Sequence, residues 1–150
     1  MPVLLEIVSP ERLLLSREVD MVVVPGTEGD IGVLPGHAML VTSLRGGLVS
    51  IYDGSEITDQ FFVTGGFAEI TESRCSVLAD EIIRRAEIDE NEAQSLLAAA
   101  QSAYNAVDLA DPDAYREASD NLIAAMAMVQ SAGEAEMTSN ARGTRVDAGV

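Results

Sequence analysis

The sequence contains no lysine, a single histidine (His37) and a single cysteine (Cys75) in its 150 residues. Each shortage closes off a chemistry. A nucleotide-phosphate loop of the form GxxxxGK[ST] needs its lysine to reach the phosphates. One cysteine cannot form an intramolecular disulfide. One cysteine and one histidine cannot supply the ligands of a zinc site. No metal and no cofactor are therefore expected. Cys75 lies in the alternating run RCSVLAD, where a half-buried strand thiol is the expected state. With lysine absent, all 9 basic residues are arginine, against 25 acidic residues, for a net charge of −16. The arginines are scattered, and only Arg84 and Arg85 are adjacent. Without a clustered basic surface the chain is not expected to bind nucleic acid or an anionic membrane. A basic protein partner is compatible with it, because complementary charge speeds encounter. Long apolar runs are missing too. No stretch approaches the ~18 residues that a membrane helix requires. The start, MPVLLEIVSPERLLL, lacks the features of a secretory leader or transit peptide, so the protein is expected to remain where it is made.

What is present divides into two periods. Up to about residue 88 the chain reads as short strands between glycine and proline turns: VLLEIVS, EVDMVVVPG, GGLVSIYDG, QFFVTGG, FAEITES and RCSVLAD. Val19, Met21 and Val23 are expected on one face of the second run, and Cys75, Val77 and Ala79 on one face of the last. Short strands punctuated this way indicate a β-sandwich or barrel. From Asp89 the period becomes helical. Ala93, Leu96, Leu97, Ala100, Tyr104 and Val107 form one stripe. Asp89 with Glu92 makes a capping-box pattern. DLADPDAY interrupts the stripe, with Asp111 as the next N-cap and Pro112 at the first helical position. A second stripe, Tyr115, Ala118, Leu122, Ala125 and Val129, is expected to end near Ala132, with Gly133 as the exit. The organisation expected is a β domain over 1–88, an antiparallel helical hairpin over 89–132, and a tail over 133–150 whose composition favours disorder.

The stretch GTEGDIGVLPGHAML, Gly26–Leu40, concentrates glycine and the lone histidine. Gly32 and Gly36 are followed by His37 instead of lysine, and no helix follows to aim its N-terminus at an anion. The glycines read as turn formers. His37 beside Asp30 or Glu28 would be the only general-base arrangement, and no nucleophile motif accompanies it. The residues alone thus favour an interaction protein. The rivals are a small-ligand-binding β-sandwich with the hairpin as lid, and an enzyme using His37.

The segments VSPERLLLSREVDMVVVPGTEGDIGVLPGHAML, LRGGLVSI, FFVTGGFAEI and SVLADEIIRRAEID resemble, in order and spacing, the epsilon subunit of bacterial F-type ATP synthase, over about residues 3–132. The resemblance implies a flattened ten-stranded β-sandwich followed by a two-helix hairpin. It implies a non-catalytic rotor subunit of the central stalk that couples proton-driven c-ring rotation to ATP synthesis. Its partners would be the gamma subunit and the polar loops of the c-ring, with the beta subunit met transiently through the hairpin. Its place would be peripheral, on the cytoplasmic face of the bacterial inner membrane. Glu28, Asp30 and His37 would lie at or near the c-ring docking end. Some members bind ATP through a motif I/L-D-x-x-R-A. Here Ile88, Asp89 and Ala93 match, but Glu92 replaces the arginine, so ATP binding is not expected. In some members basic residues of the second helix help to inhibit hydrolysis. Here Arg116 stands alone against Asp113, Glu117 and Asp120, so inhibition is expected to be weak or absent.

Overall fold

The computed structural model describes the backbone of residues 2–148 and the side chains of residues 2–132. The chain divides into two compact units, Met1–Arg84 and Arg85–Val150. This boundary falls earlier than the change of period at 88. The residues Arg85–Glu87 form a 3-10 turn, and the Arg85 Nε–H donates to the Ser131 carbonyl at 3.2 Å, which ties the turn to the helical unit.

The first unit contains ten strands: β1 (Val3–Val8), β2 (Leu13–Val19), β3 (Met21–Gly26), β4 (Gly29–Val33), β5 (Leu40–Leu44), β6 (Gly47–Asp53), β7 (Glu56–Val63), β8 (Gly66–Ile70), β9 (Arg74–Ala79) and β10 (Ile82–Arg84). They form one curled sheet in the order β10-β7-β6-β3-β5-β8-β9-β1-β2, with β4 on β3. Among the described strands only β1 and β9 pair in parallel. β3 joins the two halves. Its residues Met21, Val22 and Val23 pair with β6, and Gly26 pairs with Leu44 of β5. The sheet folds there into two layers that share one core.

Strict alternation builds that core. Val3, Leu5 and Ile7 of β1 have no exposed surface, Cys75 and Val77 of β9 are buried opposite Leu5 and Ile7, and Ala79 continues the buried face of β9. Side chains two apart share a face of a strand, so each such run contributes a wall of apolar contact. The EVDMVVVPG run departs from its expected face. The chain turns at Asp20, between β2 and β3, and this resets the alternation: Val22 and Val24 enter the core while Met21 and Val23 are half-buried. The core raises the Cys75 thiol to about 12, because burial disfavours the thiolate. Gly66 is fixed by backbone contact. Its φ is +126°, and a Cβ there would lie 2.0 Å from the Leu78 carbonyl oxygen.

In the second unit, α1 (Glu90–Ala106) starts where the cap pattern places it. The Asp89 carboxylate accepts from the amides of Asn91 (2.9 Å) and Glu92 (3.3 Å). The return bond from Glu92 to the Asp89 amide is not formed among the described residues. α2 (Pro112–Ala148) begins at Pro112, with Asp111 accepting from the Ala114 amide at 3.2 Å. The two helices pack as a hairpin, pinned at the turn by Tyr104 and Tyr115, whose rings are 5.8 Å apart and whose hydroxyls are 3.3 Å apart. α2 does not end at Ala132. Its backbone continues through Gly133, where an expected exit and irregular tail gave way to helix. Glycine costs a helix about 1 kcal/mol relative to alanine, and no proline follows it in this sequence to force a stop. The side chains of the expected tail lie outside the described residues.

Candidate functional site: two docking surfaces

The β3–β4 hairpin projects one candidate surface. Gly26 and Gly29 close it, and a Cβ on Gly26 would meet the Gly29 carbonyl oxygen at 2.7 Å. The turn is strapped to the end of β5. The Arg45 amide donates to the Pro25 carbonyl at 2.9 Å, and the Thr27 amide donates to the Ser43 carbonyl at 3.0 Å. The Arg45 guanidinium donates to the Gly26 carbonyl and to the Asp30 carboxylate. Glu28 stands exposed at the tip, with neither a hydrogen bond nor an ion pair among the described residues.

His37 is not part of this group. The Gly36 amide donates to the Glu72 carbonyl at 2.8 Å, which holds the His37 loop against the β8–β9 turn. That turn is at the Leu40 end of β5, whereas Glu28 and Asp30 lie at its Leu44 end. The length of β5, roughly 13 Å at ~3.3 Å per residue, separates them. The expectation that Glu28, Asp30 and His37 share one end is thus corrected. The crossover from β4 to β5 carries His37 to the opposite rim, a displacement that proximity in sequence conceals. His37 Nδ1–H donates to the Ala38 carbonyl at 2.6 Å, and the ring meets neither carboxylate. No general-base pairing of His37 with Glu28 or Asp30 is formed among the described residues.

A second surface was not singled out by strand periodicity. On the outer side of the β5-β8-β9-β1-β2 layer the register aligns Phe67 with Leu78, Leu78 with Val8, and Val8 with Leu13. Phe67, Leu78 and Leu13 are 54%, 47% and 56% exposed, so four neighbouring strands display one apolar row to solvent. Val41 of β5 lies on the same side, at 69% exposure, and Met39 precedes it. One step away Glu69, Ser76, Glu6 and Ser16 align as a polar row, which Val41 joins opposite Glu69 at the β5 end. A contiguous exposed apolar stripe with a polar border marks an interaction surface. RCSVLAD held one clue, since Leu78 is the leucine on the side away from Cys75, Val77 and Ala79. The row itself exists only once four strands are in register.

The degenerate nucleotide motif is occupied by structural duties. Ile88 is half-buried, Asp89 caps α1, Glu92 donates its amide to that cap, and Ala93 is fully buried. The groove lined by Arg17, Asp20, Tyr52 and Asp53, about 330 Å³, is open, and its arginine is engaged by Asp59 at 2.8 Å. No group of three or more potential metal ligands occurs among the described residues. No helix among them is long and apolar enough to cross a membrane.

The fold is of one class: a curled ten-stranded β-sandwich domain followed by a two-helix hairpin. Residues 3–85 match the sequence profile of the ATP synthase Delta/Epsilon chain, beta-sandwich domain. The ATP synthase epsilon chain of Granulibacter bethesdensis is 52% identical over 128 residues, covering 85% of this chain and 95% of that one. That of Gluconacetobacter diazotrophicus is 45% identical over 108 residues, 72% of this chain and 77% of its own. The chain belongs to the ATP synthase epsilon chain family. Its fold is similar to chains in the Euglena gracilis mitochondrial ATP synthase structure of OSCP, F1 and c-ring (TM-score 0.70, 23% identity, 85% of this chain and 79% of that chain). It is also similar to one in the Tetrahymena thermophila central stalk and c-ring structure (TM-score 0.66, 14% identity, 88% and 97%).

Proposed function

We propose that the chain is a non-catalytic rotor subunit of the central stalk, peripheral on the cytoplasmic face of a bacterial inner membrane. In this reading it joins the gamma shaft to the c-ring and helps to couple proton-driven rotation to ATP synthesis. The apolar row Leu13–Val8–Leu78–Phe67 carries the reading. Family membership requires large partners, and this row is the exposed surface best suited to a stable apolar contact. Burying a fully exposed side chain of this size is worth about 1.5–3 kcal/mol, and roughly half of that is available to each of these half-exposed ones. Gamma is assigned to this face, and the c-ring to the acidic β3–β4 turn. The beta subunit would be met only transiently through the hairpin. Family membership disfavours the independent ligand-binding sandwich.

The assignment is tested by Phe67→Glu and Leu78→Glu in the full chain. Both side chains are about half exposed, so the thermal midpoint should stay near that of the parent. Co-purification with gamma should fall at least tenfold. Undiminished capture of gamma by a folded double variant would remove the assignment.

A further inference from the structure

The β3–β4 turn contains a device that its glycines do not explain. Glycine frees a turn to adopt its shape but does not hold it there. Gly29 sits at φ +139°, with Thr27 and Glu28 exposed before it. The Arg45 side chain reaches across from the end of β5 and binds both limbs of the turn: the Gly26 carbonyl where the chain enters and the Asp30 carboxylate where it leaves. A guanidinium suits this, because its planar fork of donors can serve two acceptors at once, which a single ammonium does poorly. The arginine main chain is itself fixed by the hydrogen bond its amide donates to the Pro25 carbonyl at 2.9 Å, so little further ordering is needed to seat the side chain.

The same contacts divide the two acidic residues of the turn into different roles. Asp30 is 61% exposed, yet its charge is already matched by Arg45. Its Oδ2 is left open, but a basic partner that approaches it also approaches the Arg45 cation. Glu28, two residues away at the tip, has no internal partner among the described residues. We propose that Arg45 is the positioning residue of the docking turn, acting through Asp30 and the Gly26 carbonyl, and that Glu28 is the carboxylate presented to a basic loop of the partner. This rests on the reading of the turn as the ring-docking element.

The experiment uses the full chain, rebinding to ATP synthase membranes stripped of it, with thermal midpoints measured in parallel. Glu28→Gln should leave the midpoint unchanged and weaken rebinding several-fold, with a shallower salt dependence. Asp30→Asn should lower the midpoint and weaken rebinding, because it loosens the turn and leaves the Arg45 cation facing a basic partner. Adding Arg45→Gln to Asp30→Asn should lower the midpoint by less than Arg45→Gln does alone, because only the Gly26 contact is left to lose, and should restore part of the rebinding, as expected for two residues acting on each other. Arg45→Lys, which keeps the charge but not the fork, should recover less of the midpoint than the parent arginine provides. Additive midpoints for Asp30→Asn and Arg45→Gln would overturn the clamp. A double variant that rebinds no better than Asp30→Asn would make Asp30 the docking carboxylate and overturn the assignment of Glu28. If all these variants rebind like the parent, the ring-docking reading fails and Glu28 loses its role, while the midpoints still decide the clamp separately.

Discussion

Single residues separate structural from functional use here. Cys75 has a fully buried side chain and a thiol raised to about 12, so it should be inert. A disulfide reagent should label it only at the rate of unfolding, and rapid labelling of the native chain would contradict its burial. The sign of its pH effect follows from linkage. Folding keeps the thiol protonated above its ordinary value of 9.0, so the stability it contributes is intact below pH 9 and lost as pH rises toward 12. Tyr104, raised by its hydrogen bond to Tyr115, acts in the same direction. The thermal midpoint should fall across this alkaline window, and Cys75→Ala should fall less steeply relative to its own value at neutral pH. Gly66→Ala should be among the most damaging small substitutions, because backbone occupies the space a Cβ would need. A loss of several kcal/mol is expected, above the ~1 kcal/mol typical of point mutants, measurable by urea denaturation. Gly32→Ala, whose added Cβ would have only the Met21 sulfur at 4.0 Å, is the control.

At the scale of elements, caps and register carry the argument. Asp89 accepts from two first-turn amides, so Asp89→Ala should cost about 0.5–2 kcal/mol of helical-unit stability. Asp89→Asn should recover most of it, which circular dichroism during thermal melting can follow. The same occupation of Asp89, with a carboxylate at Glu92 where phosphate would need a cation, predicts no ATP binding. Calorimetry with MgATP should show no saturable heat in the micromolar range. Recovery of binding on Glu92→Arg would show that the missing arginine is the cause. The Asp20 turn shows the limit of reading elements by period. Val19, Met21 and Val23 alternate perfectly in sequence, but a turn between two strands reverses which side faces the core.

At the scale of the whole molecule, the hairpin's charge decides its regulatory expectation. Arg116 is accompanied by Asp113, Glu117 and Asp120 along the first turns of α2, which opposes contact with an acidic partner segment. Deleting residues 89–150 should leave ATP hydrolysis by the assembled complex unchanged. A several-fold rise would show that the hairpin inhibits after all. The fold class was legible to a large degree: β1, β6, β8 and β9 follow alternation with buried partners two apart, and α1 and α2 begin at their caps. β2, β4, β5 and β10 were not resolved by pattern: β2 was touched only by the head of the EVDMVVVPG run, and the other three are short, β4 with two glycines in five residues.

The sequence by itself determined the absence of a lysine-bearing phosphate loop, the change from strand to helix period, and the helix starts. These depend on composition and on neighbours within a turn or two. It also carried the family resemblance, through motifs spread along the chain. Only the tertiary structure decided which charges and apolar side chains work together. It moved His37 to the rim opposite Glu28 and Asp30, paired Asp30 with Arg45 from another strand, and aligned Leu13, Val8, Leu78 and Phe67 into one row. The physical reason is common to all three: they depend on which strands neighbour one another and in what register, and the pattern within a single strand fixes neither.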